Sequence, residues 1–244
     1  MIRIGTYNVH GFVGRDGRRD LGRVAGVIRS LGCRAIGLQE VDSRGAATTL
    51  VELERLTGMR AVAGATITQA DGDYGNALLT DVEVASIVRH DLSVSGREPR
   101  GALEVRLGGI DGAAFTVIVT HLGLKRGERR RQTERLVGLT AASDDQRPVV
   151  LVGDFNEWWP WAPPLRRLSR IFGNGRAVPT FPAHRPLLAL DRVWAGPGST
   201  IRDLRASSNA ETRVASDHLP LTADIDFSRF PDVQRVNPIL KRRD

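Results

Sequence analysis

The sequence predicts an α/β protein in which sheets and helices pack as layers, and two features of the chain indicate this. In the first quarter, apolar runs of strand length alternate with segments whose apolar residues recur at helical spacing. From residue 60 to 120 the pattern changes to short alternating runs separated by turn signals such as Asp71-Gly72-Asp73, which is typical of antiparallel strands. A chain of 244 residues without a break in composition can bury one substantial core.

The N-terminal part predicts the order strand, helix, strand, helix. Residues 2–9 form an apolar strand that stops at Asn8, and residues 35–40 form a second one that ends in the carboxylate of Glu40. A helix is predicted between them, with Asp20 as its N-cap and Gly32 as its C-terminal stop. Its apolar residues recur at helical spacing: Leu21, Val24, Ile28 and Leu31. A further helix is predicted over residues 46–57, with leucines on one face.

The remaining elements are mostly strands. Alternation predicts strands at 61–67, 77–80, 82–88, 102–107 and 114–120, the last ending at His121. A basic helix is predicted over 127–139, followed by strands at 149–152, 188–194 and 221–227. The tail, residues 229–244, is basic and lacks periodicity, which predicts a surface segment or partial disorder.

Composition bounds the function only loosely. The net charge of +7 favours an anionic partner, but nearly all basic residues are arginine, so a solvated basic surface is equally compatible. Cys33 is the only cysteine, which excludes an internal disulfide and a cysteine metal cluster. The sequence has no apolar run long enough for a transmembrane helix, and Met1 leads straight into a strand rather than a secretory signal. We therefore expect a cytoplasmic monomer, with peripheral membrane contact as an alternative and no obligate protein partner.

Polar side chains recur where apolar strands end. Asp154 and Asn156 follow the strand 149–152, and if the chain stays extended, residues two apart point the same way. Each of these side chains alone could serve a turn, because Asp and Asn are common there. Their number favours a catalytic site over turn chemistry: Asn8, Glu40, His121, Asp154 with Asn156, Asp191, and Asp217 with His218.

The residue types at these ends indicate phosphoester chemistry. Carboxylate and amide oxygens suit Mg²⁺ or Mn²⁺ better than zinc, and Mg²⁺ leaves coordination positions free for phosphate oxygens. The oxygen donors are Asn8, Glu40, Asp154, Asn156 and Asp217. A histidine held by a carboxylate would supply a cation or a proton to the phosphoryl oxygens, and we expect Asp191 and His218 to form that pair.

Seven motifs in order carry a family resemblance. They are residues 6–10 (TYNVH), 38–41 (LQEV), 74–79 (YGNALL), 120–122 (THL), 153–156 (GDFN), 190–193 (LDRV) and 216–220 (SDHLP). Together they resemble the endonuclease/exonuclease/phosphatase superfamily, the deoxyribonuclease I-like enzymes, in a compact bacterial-type form. The resemblance implies a four-layer α/β sandwich, two mixed β-sheets packed face to face with helices on the outside. It covers residues 2–227, so we expect a single catalytic domain at 1–228.

The resemblance also implies roles for individual residues. Glu40 would hold the divalent metal, Mg²⁺ or Mn²⁺, with Asn8 and Asp217 as direct or water-mediated ligands. Asp154 and Asn156 would orient and deprotonate a water that attacks phosphorus in line, without a covalent intermediate.

Five further residues are expected around the phosphate. His218, paired with Asp191, would stabilise the growing charge, and His121, supported by Asn76, would contact the phosphate from the other side. Arg100 is a candidate phosphate contact, with an ordinary surface arginine as the alternative.

The substrate is left open by the resemblance, because one fold can serve many substrates. Trp158, Trp159 and Trp161 follow the catalytic strand and would stack bases or insert into a membrane interface if exposed; if buried, they are core. Trp158 is our candidate substrate contact. The basic segment 126–135 suits nucleic acid or anionic phospholipid, with a solvated helix face as the alternative.

Four functions follow in order of preference. A nucleic-acid phosphodiesterase stands slightly ahead of a phospholipid-headgroup phosphodiesterase of the sphingomyelinase kind. A phosphomonoesterase comes third. A catalytically silent module that binds DNA or membrane is the alternative from another class, although a binding module has no need to place carboxylates beside a phosphate.

Overall fold

The computed structural model describes residues 1–45, 48–110, 113–141, 148–159, 161–173, 176–196 and 199–227. The predicted basic tail at 229–244 lies outside these ranges, as do residues 46 and 47 of the predicted second helix. Eleven strands are present in the described part: β1 (Ile2–Asn8), β2 (Ala35–Asp42), β3 (Arg60–Gln69), β4 (Gly72–Thr80), β5 (Val84–Asp91), β6 (Gly101–Ile110), β7 (Ala113–His121), β8 (Val149–Asp154), β9 (Asp191–Ala195), β10 (Thr200–Ala206) and β11 (Leu221–Asp226).

The strands form two mixed sheets. The first has six strands in the order β10-β11-β1-β2-β4-β3, and the second has five in the order β5-β6-β7-β8-β9. Each sheet has one parallel pair at its centre, β1 with β2 and β7 with β8, and antiparallel pairs around it. The carboxyl ends of all four central strands lie at one edge of the molecule, which we call the active edge.

The helices lie outside the two sheets, as the four-layer prediction required. They are α1 (Leu21–Leu31), α2 (Thr49–Thr57), α3 (Arg126–Ala141), α4 (Pro163–Phe172) and the short α5 (Thr212–Ala215), with a 3-10 turn at His10–Phe12. Apolar residues of α1 and α2 pack on the first sheet, and those of α3 and α4 pack on the second. The predicted ends of α1 are confirmed: the Asp20 carboxylate accepts the amide of Arg23, and Gly32 is left-handed with φ of 62°.

The main core lies between the two sheets and is built mainly from aliphatic side chains. At its centre the sheets approach so closely that a Cβ on Gly37 would lie 2.7 Å from Val152 and 2.9 Å from Val119. Each fully buried Val or Leu contributes roughly 1.5–3 kcal/mol relative to an exposed one, so this core holds the two sheets firmly face to face. The active edge therefore receives side chains from both sheets.

Two sequence predictions about strand ends are wrong in their details. Asp191 begins β9 instead of lying within a strand at 188–194, and it reaches the active edge because β9 runs antiparallel to β8, with Asp191 opposite Asp154. Glu40 lies inside β2, at an irregularity where the pairing with β4 shifts between Leu38 and Val41. Both side chains still reach the predicted edge.

Three elements were not predicted from the sequence. The strand β10 is at the edge of its sheet and is half exposed, so it lacks an apolar run. The helix α4 follows directly on the tryptophans and begins with Pro163 and Pro164, residues that suit a helix start but also mark loops. The single turn α5 is too short for a periodic pattern. No helix in the described ranges is long and apolar enough to cross a membrane.

Candidate active site

The Asp154 carboxylate is the centre of the active edge. It is buried at the end of β8, and its Oδ2 accepts a hydrogen bond of 3.1 Å from the Asn8 amide. The Nε2 atoms of His121 and His218 lie 3.6 and 3.7 Å from the same oxygen. Four predicted residues thus meet here. Asp154 and His121 come from the ends of β8 and β7 in one sheet, Asn8 from the end of β1 in the other, and His218 from a loop.

The backbone turn after β8 sets the position of Asn156. Gly153 has φ of 152°, and a Cβ there would lie 1.9 Å from the carbonyl oxygen of Thr120, so only glycine fits. Asn156 is left-handed with φ of 49°, so the prediction that an extended chain aligns Asp154 with Asn156 is wrong. The two residues come together because the Asp154 Oδ1 accepts the Asn156 backbone amide at 2.8 Å.

Asn8 connects Asp154 to Glu40. Its amide nitrogen donates to Glu40 Oε1 at 2.9 Å as well as to Asp154, so one side chain holds both carboxylates on the same side of the site. Glu40 has φ of 57°, a strained conformation for this residue that costs on the order of 1–3 kcal/mol. Burial and the negative charge of Glu40 raise the pKa of Tyr74, which places this phenol beside the same carboxylate.

His218 is paired with Asp191, as predicted. Its Nδ1 lies 2.8 Å from Asp191 Oδ2, and the Thr180 hydroxyl donates to that oxygen at 2.5 Å. Burial opposes the imidazolium, but the nearby carboxylates outweigh burial and raise the pKa of His218 to about 10. The ring is therefore a cation at neutral pH, with Nε2 directed toward Asp154. Thr180 was not predicted, because nothing in its loop sequence indicates that it holds Asp191.

His121, by contrast, is uncharged at neutral pH. Burial lowers the pKa of His121 to about 4, and the positive charges of Arg100 and His218 act in the same direction. The Arg100 Nη1 lies 3.2 Å from the ring Nδ1, and the Asn156 amide nitrogen lies 3.0 Å from Nε2. A neutral and a cationic histidine thus flank one carboxylate, an arrangement typical of functional sites.

Arg100 and Asn76 lie behind His121. Arg100 is 7% exposed and pairs with Glu98 at 3.1 Å, so the alternative of a surface arginine is wrong. Asn76 donates to the Gly101 carbonyl oxygen at 3.1 Å. Within the described part of the chain it makes no hydrogen bond to His121, so any support that it gives acts through the segment of Arg100 and Gly101.

Two groups of residues offer atoms that could hold a metal. Glu40, Asn8 and the half-buried Asp217 offer the hard oxygen atoms that Mg²⁺ prefers, and the Asn8 amide is hydrogen-bonded to Glu40. Asp154, Asp191 and His218 also have ligand atoms within 4.8 Å of one another. In this second group His218 is protonated and bonded to Asp191, and an imidazolium cannot bind a metal, so the first group fits an ion better.

The tryptophans are on the surface. Trp158, Trp159 and Trp161 are 58%, 58% and 66% exposed, so the alternative in which they form core under a loop is wrong. The basic helix α3 is only partly a solvated face: Arg129 is buried and pairs with Glu157 at 2.9 Å, a contact that charge patterning alone could not reveal.

Comparison with known proteins identifies the family. The endonuclease/exonuclease/phosphatase family matches residues 5–218, which is most of the chain. The chain belongs to this family. Members of the endonuclease/exonuclease/phosphatase family hydrolyse phosphoesters, and the two mixed sheets with outer helices are the family fold.

Individual relatives differ in how much of the chain they share. The uncharacterized protein YbhP of Escherichia coli strain K12 is 36% identical over 169 residues, and the match covers 64% of this chain and 64% of YbhP, under two thirds of that protein. A functionally unknown conserved protein from Enterococcus faecalis V583 has a TM-score of 0.77 at 19% identity, over 92% of this chain and 99% of the other. The mannosyl-6-phosphatase of Bacteroides thetaiotaomicron VPI-5482 has a TM-score of 0.75 at 15% identity, over 93% and 100%.

Proposed function

We propose that this protein is a divalent-metal-dependent phosphodiesterase in which a water activated by Asp154 attacks phosphorus in line. The observation that supports it most is the buried Asp154 carboxylate between a cationic His218 and a neutral His121. A buried carboxylate is a strong acceptor for the proton of a bound water, and a fixed cation next to it stabilises charge that develops on phosphoryl oxygens.

Each neighbour of Asp154 has a part in this proposal. The backbone amide of Asn156 holds the Asp154 carboxylate in place, and Asn156 thereby helps to position the water that Asp154 activates. His218 presents its Nε2 proton to a phosphoryl oxygen, and Asp191 keeps the ring charged and oriented. His121 is uncharged and contacts the phosphate from the opposite side, and the guanidinium of Arg100 behind it adds positive charge.

The metal would be held by Glu40, with Asn8 and Asp217 as further direct or water-mediated ligands. The donor set fits Mg²⁺ or Mn²⁺, because all three side chains offer oxygen atoms and Glu40 is already drawn toward Asp154 through Asn8. When bound, the ion acts as a Lewis acid on the phosphate and stabilises the leaving oxygen.

Two substrate classes fit a phosphodiesterase with this surface. The net charge of +7 and the arginines of α3 support nucleic acid, which the sequence favoured slightly. The exposed tryptophans support a phospholipid headgroup instead, since Trp prefers the membrane–water interface. Phosphomonoesters are the third candidate. A monomeric, cytoplasmic protein with peripheral membrane contact stays a prediction from the sequence.

A substrate panel tests the proposal. The purified protein is incubated with Mg²⁺ and four substrates: bis-p-nitrophenyl phosphate, p-nitrophenyl phosphate, supercoiled plasmid and phosphatidylglycerol vesicles. We expect the soluble diester to be hydrolysed faster than the monoester, together with either plasmid or phospholipid. If all four substrates survive, the chain is a silent binding module and the proposal is wrong; hydrolysis of the monoester alone would make it a phosphomonoesterase.

A further inference from the structure

An exposed apolar patch lies on the two loops that follow the catalytic strand ends His121 and Asp154. We call it the tryptophan patch, and it consists of Trp158, Trp159, Trp161 and Leu124, the last of which is 70% exposed. Large side chains exposed singly are ordinary, but four on two neighbouring loops form a surface that water solvates poorly. Apart from the substrate contact predicted for Trp158, the proposed hydrolysis uses none of these side chains.

A buried ion pair holds the patch in place. Arg129 of α3 donates to Glu157 Oε2 at 2.9 and 3.1 Å and to the Leu124 carbonyl oxygen at 2.6 Å, so it joins the two loops. The other oxygen of Glu157 accepts the Trp159 backbone amide at 3.2 Å. Both charged side chains are nearly fully buried. These contacts anchor Leu124, Glu157 and the backbone of Trp159, while the side chains of Leu124 and Trp159 stay exposed to solvent.

Positive charge surrounds the patch. Arg126, Arg130 and Arg166 are exposed there, and in the described ranges none of the three has a carboxylate partner. Arg126 and Arg166, with the tryptophans, line a cavity of about 410 Å³. The N-termini of α3 and α4 both begin at this surface, and α4 has no side-chain cap, so their dipoles add to the positive potential.

We propose that the tryptophan patch and its surrounding arginines form a docking surface for an anionic phospholipid bilayer. Tryptophan rings settle at the headgroup level of a membrane, and arginines near the surface are attracted to anionic lipids. Nucleic acid fits less well, because the Trp159 and Trp161 rings meet edge-on at 71° and a stack of bases needs open ring faces. The exposed aliphatic side chain of Leu124 offers no stacking surface either.

The position of the patch connects it to catalysis. Its two loops leave directly from catalytic strand ends: one follows His121 and the other follows Asp154, and Asn156 bonds the Leu122 carbonyl oxygen between them at 2.9 Å. A bilayer bound to the patch would therefore place lipid phosphates beside the active edge. On the basis of the proposed function, this makes a phospholipid headgroup the substrate class.

Vesicle partition in EDTA measures docking without any turnover. We expect the protein to co-sediment with phosphatidylglycerol vesicles at low salt and to bind phosphatidylcholine vesicles much more weakly. The fluorescence of the exposed tryptophans should shift to the blue on binding, because they leave water, whereas the buried Trp194 does not contribute to the shift.

Two double variants separate the apolar and the electrostatic parts. Trp158→Ser with Trp161→Ser should lower partition more than about tenfold, since each ring loses its apolar burial in the interface. Arg126→Gln with Arg166→Gln should lower it roughly 30-fold at low salt and much less at high salt. Two double variants of exposed residues away from the patch serve as matched controls. They are Val51→Ser with Val88→Ser for the tryptophans, and Arg29→Gln with Arg60→Gln for the arginines. Both controls should partition like the wild type.

The outcomes distinguish docking from catalysis. Equal partition of the wild type and the tryptophan variant, or equal binding to both lipids, overturns the docking surface. Loss of single-stranded DNA binding in the tryptophan variant, with vesicle partition unchanged, overturns it in favour of nucleic acid. Hydrolysis of bis-p-nitrophenyl phosphate is measured separately: partition without any diester hydrolysis supports docking and contradicts the proposed function.

Discussion

At the scale of single residues, the site is organised by two histidines, one held as a cation and the other held neutral. His218 is surrounded by carboxylates, whereas His121 has a guanidinium at its Nδ1 and only amides and Asp154 on its other side. Both rings are buried, so the difference comes from their charged neighbours rather than from solvent access. One histidine can therefore act as a cation at the pH where the other is neutral.

Replacing Asp191 should remove most of the charge stabilisation at His218. The pKa of His218 is raised to about 10 by nearby carboxylates against an opposing effect of burial. In Asp191→Asn the burial remains and one carboxylate is lost, so we expect this pKa to fall well below 10. An NMR titration of the imidazole in EDTA measures it. An unchanged pKa would mean that Asp191 does not hold the ring as a cation.

His121 should make the fold sensitive to acid. Its pKa is lowered from 6.5 to about 4, so between these pH values the unfolded chain binds a proton that the folded chain does not. Stability therefore falls as the pH decreases through this window, by up to about 1.4 kcal/mol per unit. His218 adds no slope there, because its raised pKa gives stability that is complete below 6.5 and lost as the pH rises through about 10.

Denaturant unfolding of His121→Asn in EDTA from pH 7 to pH 4 checks this contribution. We expect the free energy of unfolding of the variant to decline less steeply with acid than that of the wild type. Parallel declines would contradict the assignment of a buried neutral imidazole. Carboxylates elsewhere contribute equally to both proteins and cancel in the comparison.

The sequence predicted which residues meet and that His218 supplies a cation or a proton, but not that His121 is neutral. Asn8, Glu40, Asp154 and His218 could be selected because each follows or lies near the end of an apolar strand. The neutral state of His121 comes first from burial and is reinforced by Arg100, whose contact with the ring has no local signature in the sequence. Charge states arise from contacts distant in sequence, so they need the folded structure.

At the scale of elements, the strand β8 and the turn after it fix the geometry of catalysis. Gly153 lets β8 pass against Thr120, and the left-handed Asn156 then folds its backbone amide onto Asp154. A side chain at position 153 would collide with backbone atoms, which cannot move aside as a flexible side chain would.

Gly153→Ala should therefore destabilise the protein by about 3 kcal/mol or more. Gly138 in α3 is the matched control: it is exposed and a Cβ there meets nothing within 4 Å, so Gly138→Ala should stabilise by up to about 1 kcal/mol. Thermal and denaturant unfolding measure both changes. Similar effects of the two alanines would show that the close approach to Thr120 is not a constraint.

Element directions were harder to predict than element types. The sequence placed Asp191 in a strand but not at its start. The antiparallel pairing of β9 with β8 brings this first residue to the active edge, and local sequence does not show such pairing. Two elements near the tryptophans were also hard to predict. The helix α4 begins with two prolines, which also mark loops, and the Arg129–Glu157 pair joins α3 to a loop 28 residues away. Pairing over long sequence distances is not visible in local patterns.

At the scale of the whole molecule, two sheets packed face to face deliver their strand ends to one edge. The close contact of Gly37 with Val119 and Val152 aligns the centres of the sheets, so Asn8 and Glu40 from one meet Asp154 from the other. Periodicity alone predicted layers of sheet and helix. The arrangement of the strands in two mixed sheets came only from the family resemblance, and the structure confirms it.

The most direct test of a metal-dependent, Asp154-activated hydrolysis is the steady-state rate on bis-p-nitrophenyl phosphate. The wild type, Asp154→Asn and the exposed control Asp81→Asn are each measured with Mg²⁺ and with EDTA. We predict that EDTA abolishes turnover, that Mg²⁺ or Mn²⁺ restores it, and that Asp154→Asn lowers kcat about 10³-fold while the fold and the control stay unchanged. A wild-type rate that survives EDTA, or an Asp154→Asn rate close to that of the control, would contradict the proposed function.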